Sequence, residues 1–159
     1  MFDSSWNLIV KKLRALREKP GRYNLVYIVR PLETAHEDAE ALAAQLKWPY
    51  VDFDRAAIEA MQDRWLIYLE WERRGYDEGI VKKLAEVTEG IAQRLERGEH
   101  LVIGNINLTY RFPLDLGARL FQGTTAAICV ICVPGEVQGK DVLLFGRRKL
   151  FSEHSYILE

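Results

Sequence analysis

Apolar residues in this chain recur with two periods, and the switches between them lay out its elements. Trp6, Ile9, Leu13 and Leu16 fall at helical spacing, which predicts a helix ending near Glu18, with Ser4 or Ser5 as its cap. Lys19-Pro20-Gly21 ends it, and the run Leu25-Val26-Tyr27-Ile28-Val29 reads as a buried strand from about Tyr23. A helix over Ala39 to Leu46 is broken by Trp48-Pro49, and Tyr50 to Phe53 makes a short second strand. From Arg55 to about Gly98 the pattern is helical. One stripe carries Ala57, Met61, Trp65 and Tyr68, Gly75 interrupts, and a second carries Ile80, Leu84, Val87, Ile91 and Leu95. That predicts two helices, packed as a hairpin or onto a sheet. Leu101 to Ile103 starts a third strand, and Pro113 suits the first turn of a helix reaching Phe121. A fourth strand spans Ala126 to Val133, Pro134-Gly135 turns the chain into Val142 to Phe145, and a last short strand covers Ser155 to Leu158.

Strands alternating with helices imply a mostly parallel sheet covered on both faces. The expected fold is a three-layer α/β domain over residues 1–159, with a helical insertion at about 55–98 and an antiparallel C-terminal addition. With 159 residues, 48% of them hydrophobic, one core suffices. The net charge of -1 exerts no global pull toward nucleic acid or anionic membrane. No apolar run approaches the roughly 18 residues of a membrane span. Met1 to Trp6 lacks the features of a signal peptide, so a cytoplasmic location and no membrane partner are expected. Cys129 and Cys132 form a C-x-x-C within an apolar strand. Strand residues three apart point to opposite faces, so a shared metal or redox centre is disfavoured and both thiols read as core.

Chemistry concentrates beyond the carboxyl ends of the strands, where open α/β sheets bind ligands. Arg30, Glu33, Thr34 and His36 follow the first strand, Asp52 and Asp54 flank the end of the second, and Asn105 follows the third. Of these, Arg30, Glu33, Thr34, His36, Asp52 and Asn105 are the ligand-pocket candidates. A phosphate-binding loop would read G-x-x-x-x-G-K-[ST] after the first strand. Arg30 to Asp38 contains no glycine and no lysine but three carboxylates. A magnesium-serving strand would end in aspartate, whereas Leu101-Val102-Ile103 ends in Gly104-Asn105. No catalytic residue and no cofactor are assigned. Glu33, Asp52 and Asp54 are the set a metal-dependent hydrolase or nuclease would use, with His36 as base. The alternative is that Asp54 caps a helix starting at Arg55. Arg147, Arg148 and Lys149 could meet a nucleic-acid backbone or simply be solvated. Trp65, Tyr68 and Trp71, on an aromatic-rich helix, are either clamped inside the fold or offered to a protein partner.

The segment Leu101 to Asp115 resembles the Walker B region of the small single-domain P-loop ATPases (BrxF) of bacteriophage-exclusion, or BREX, defence systems. Those proteins carry an apolar strand, an aspartate-asparagine pair, an apolar-rich loop and a leucine-rich helix. Asn105 matches the asparagine, and Gly104 stands where the aspartate would be. The element order and total length are also similar. The resemblance implies a P-loop-NTPase-like fold and a role in phage defence. With both nucleotide motifs degenerate, it implies a non-catalytic scaffold or regulatory subunit, working beside an active ATPase or a methyltransferase.

Overall fold

A computed structural model describes residues 4–159. The reading of the segment 1–3 lies outside the described residues, as do the side chains of Ser4 and Ser5 on which the first cap was placed. The elements run α1 (Ser4–Glu18), β1 (Leu25–Arg30), α2 (Ala35–Leu46), β2 (Tyr50–Asp52), α3 (Phe53–Met61), α4 (Trp65–Arg73) and α5 (Glu78–Glu96). They continue with β3 (Leu101–Gly104), α6 (Asn107–Arg111), α7 (Leu116–Leu120), β4 (Cys129–Gln138), β5 (Asp141–Leu144), β6 (Arg148–Leu150) and β7 (Ser155–Leu158).

The main sheet has the order β2-β3-β4-β1-β7, and every pairing along it is parallel. Its strands alternate between two cores. Val26, Ile28, Val130 and Cys132 face α1 and α2, packing with Trp6, Leu13, Ala39 and Leu42. Leu25, Tyr27, Cys129 and Ile131 face the opposite layer, with Phe53, Leu84, Leu95 and Leu120 from α3, α5 and α7. This is the expected three-layer α/β arrangement, with helices on both faces of a mostly parallel sheet. The two thiols lie on opposite faces of β4, as the strand period requires.

Besides the unread short elements α6 and β6, four details depart from the sequence reading, each for a local reason. The helical insertion holds three helices rather than two. Gln62 adopts φ 55°, which breaks the Ala57–Tyr68 stripe before a single 3-10 turn, Gln62–Arg64, leads into α4. Pro113 lies between α6 and α7 rather than opening a helix, and Asp115 caps α7 instead by accepting the amide of Ala118. Pro134-Gly135 does not turn the chain. β4 runs on to Gln138, and the reversal comes at Gly139, whose φ is +61°. Gly135 is required because any Cβ there would run into the carbonyl of Leu143 on β5. Finally, the antiparallel addition consists of β5 and β6 paired along the extension of β4, whereas β7 joins the main sheet parallel to β1.

Burial pushes both cysteine thiols up to about 12, so neither forms appreciable thiolate near neutrality. Native protein at pH 8 is therefore expected to resist an aromatic disulfide reagent, with both thiols reacting once guanidinium unfolds the chain. Rapid native labelling of either thiol would contradict this packing.

Candidate functional site at the carboxyl ends of the strands

The connection from β1 to α2 is only four residues long, Pro31 to Thr34. Two amides at the start of α2 turn back onto it: the Pro31 carbonyl accepts from Thr34 at 3.1 Å and from Ala35 at 2.9 Å. The free N–H groups that make a helix start attractive to phosphate are thus partly turned inward. Arg30 does not face the loop's mouth as a free cation. Its Nε donates to Asp38 Oδ2 at 2.8 Å, and its guanidinium lies 5.1 Å from the Trp6 ring centroid. Glu33 and His36 are exposed, and His36 Nδ1 shares a 2.7 Å hydrogen bond with the Tyr50 hydroxyl. Burial pushes the Tyr50 phenol well above its ordinary range, with Asp52 adding to the shift. That hydroxyl therefore stays protonated and can donate to the imidazole.

The end of β3 is closed more firmly. A Cβ on Gly104 would lie 2.7 Å from the Ala39 Cβ on α2 and 2.9 Å from the Tyr50 hydroxyl. No side chain of any kind fits there without moving α2 or the Tyr50 ring. Asn105 follows in the left-handed region, at φ 54°, a conformation asparagine tolerates better than most residues. That turn lets its Nδ2 donate to Asp52 Oδ1 at 2.8 Å while its carbonyl accepts the Asp54 amide at 2.9 Å.

Both aspartates are committed to helix starts, in the opposite sense to the sequence reading. Asp52, not Asp54, is the N-cap of α3, accepting the Arg55 amide at 3.0 Å. Asp54 reaches across to α6 and accepts the amides of Asn107 at 3.2 Å and Leu108 at 2.9 Å, plus the Asn107 side-chain amide at 3.0 Å. It caps from outside a helix whose own N-cap residue, Ile106, has no capping side chain. Burial raises the Asp54 carboxyl above its ordinary value, partly offset by these donated hydrogen bonds. Among the described residues, no group of three or more His, Cys, Asp or Glu side chains is arranged to hold a metal ion. Glu33, Asp52 and Asp54 do not converge as a hydrolase would need.

What opens between β1, β3 and β4 is a cleft of about 40 Å³, lined by Leu32, His36, Asn105, Asn107, Cys132 and Pro134 among others. That is room for about three water molecules, far below the several hundred Å³ typical of ligand pockets. A larger polar cleft, about 520 Å³, lies along the outer side of β2, where Glu40, Asp52 and Glu59 meet Arg55 and Arg94. Its two arginines are already paired, Arg55 with Glu59 and Arg94 with Glu99.

No family model, curated protein or solved structure matches this chain.

The remaining candidates sit elsewhere. Arg148 is a structural clamp, donating from one guanidinium nitrogen to the Thr109 carbonyl at 3.0 Å and the Leu114 carbonyl at 2.9 Å. Lys149 pairs with Asp141 at 3.3 Å, while Arg147 lies near the Tyr110 hydroxyl. Arg147 and Lys149 are exposed, whereas Arg148 is partly buried. On α4, Tyr68 packs inward over Gly79, where a Cβ would lie 2.7 Å from its ring, and stands edge-on to Trp71. Trp65 and Trp71 are exposed, joined by Leu66 and Ile67, and α4 has no fully buried residue. The cap across to α6 and the outward turn of Leu66 were missed from sequence. The spacing of Asp54 and Asn107 says nothing about their meeting, because the pairing of β2 with β3 brings them together.

Gly104→Ala is expected to lower unfolding free energy by about 1–3 kcal/mol in urea denaturation, as overpacking does. An unchanged midpoint would mean that Ala39 and Tyr50 do not close the site. Asp52→Ala should cost about 1–2 kcal/mol through loss of the α3 cap and of the Asn105 contact. A loss below about 0.3 kcal/mol, within ordinary surface variation, would remove its structural assignment.

Proposed function

We propose that this chain is a non-catalytic, degenerate P-loop-ATPase-like protein that serves as a scaffold or regulatory subunit by holding a protein partner. The observation that carries this reading is the filled site at Gly104. There the backbone of β3 is packed against Ala39 and Tyr50, where a nucleotide-hydrolysing relative would need an aspartate for magnesium. The four-residue connection after β1, with the Thr34 and Ala35 amides turned onto Pro31, supports the same reading from the other side of the cleft. The exposed apolar side chains of α4 add a surface of the type that marks protein contacts. Placement in a prokaryotic antiphage complex rests on the resemblance of Leu101 to Asp115 to the BREX ATPases. A metal-dependent hydrolase gains no support, since Asp52 and Asp54 already serve as helix caps.

Isothermal titration of the purified chain with ATP and magnesium is expected to give no saturable heat up to millimolar nucleotide, and a coupled assay no phosphate release above buffer. A dissociation constant below about 1 mM, equivalent to more than about 4 kcal/mol of binding, would overturn the non-catalytic reading.

A further inference from the structure

The main sheet ends at β7, which has β1 as its single partner among the described residues. A strand paired on one side leaves alternate N–H and C=O groups pointing outward, ready to accept another strand. Beside this edge runs a groove of about 330 Å³, floored by Leu13, Leu16, Val26, Tyr156 and Leu158, with Lys12 and Lys19 at its rim. α1 supplies one wall, and its exposed face is strongly basic. Lys11, Lys12, Arg14 and Arg17 stand against the single carboxylate of Glu18, and Lys19 and Arg22 follow. This is a local positive field on a chain whose net charge is -1. Among the described residues Lys11, Lys12, Arg14 and Lys19 make no ion pair.

We infer that the β7 edge and the α1 groove together dock an extended acidic peptide segment of a protein partner, added as a further strand. This deepens the scaffold reading above by naming the chemistry of what is held. The edge supplies main-chain hydrogen bonds, and pockets for alternate side chains supply the selectivity of such strand addition. On a strand laid against β7, every second side chain falls on the face that carries Tyr156 and Leu158 and enters the apolar groove. Lys12 lies on α1 and Lys19 directly follows its last residue, its amide still donating to the Ala15 carbonyl at 2.9 Å. That separates them by about 10 Å of helical rise, which matches roughly three residues of extended chain. Carboxylates flanking a short aliphatic centre therefore meet both lysines at once. A nucleic-acid backbone would engage the cations but leave both the apolar floor and the strand edge unused, which favours the peptide.

The test uses the full chain and a fluorescein-labelled probe peptide, acetyl-Asp-Glu-Val-Ile-Val-Glu-Asp-amide, with a control in which lysines replace the acidic residues. Saturable binding of the acidic probe alone is expected. Binding should slow hydrogen exchange of amides in Ser155–Leu158, and Lys12→Glu with Lys19→Glu should weaken it at least about tenfold. Both lysines are exposed, so the double variant retains the fold, which circular dichroism checks. Absence of binding at millimolar probe, equal binding by the double variant, or binding without protection of β7 would each overturn the inference. So would tighter binding of duplex DNA or phosphatidylserine vesicles at the same residues, which would reassign the surface. The nucleotide titration is independent. Probe binding in a chain that also bound ATP would remove the non-catalytic reading and leave this one standing.

Discussion

Where α2 crosses the carboxyl end of β3, two backbones come close enough that only hydrogen fits between them. Gly104 lies against Ala39 from one side and the Tyr50 ring from the other, and small residues at both positions permit that approach. The contact brings α2 down onto the sheet alongside Ala43, Leu42 and Leu46, which share one core with Trp6 and Val102. It fixes Tyr50 so that its hydroxyl meets His36. It also leaves the chain, just beyond Gly104, to turn through the left-handed Asn105 and link Asp52 and Asp54. Interiors packed at this density transmit a change of one methyl group, so the closed cleft and the capped helices follow from one steric fact.

The polar cluster around that point is a set of helix starts rather than a reaction centre. Asp52 holds α3, Asp54 holds α6, and Asn105 and Asn107 join the two. Carboxylates that accept amide hydrogens in this way stabilise helix N-termini, and each lone pair used so is one fewer for a cation. The same economy appears at Asp115, which caps α7 and also accepts the Phe151 amide at 2.7 Å. Arg148 serves the complementary end of this network, binding carbonyls. Charged residues that stand out in the sequence as chemistry are, in this fold, largely the fasteners of short helices.

Much of the architecture was legible because it depends on period. The continuous apolar runs of β1, β3 and β4 and the stripes of α1 and α5 predicted a parallel sheet between helices. The opposite facing of Cys129 and Cys132 followed from strand geometry alone. What could not be read is what depends on tertiary partners. Pro134 and Gly135 have turn chemistry, yet they remain in β4 because Arg30 and Leu144 pair with them. Pro113 has helix-start chemistry, yet Asp115 takes that role two residues later. At the candidate site, the absent glycines and lysine and the glycine at the end of β3 were visible as letters. That Gly104 is sterically required, and that Asp54 caps a helix more than fifty residues away, became visible only through the register of β2 with β3.

The placement of β1 between β4 and β7 has a consequence for how the chain acquires its structure. Both neighbours of β1 arrive late: Leu25 pairs with Cys129, more than a hundred residues downstream, and with Ser155 later still. During synthesis, this apolar strand has no edge to join until β4, about a hundred residues further on, has left the ribosome. Such non-local pairing slows folding and lengthens the interval in which an unpaired hydrophobic strand is open to other chains. Until then the face of β1 that carries Val26 and Ile28 can be covered only from α1 and α2, the helices it packs with in the finished fold.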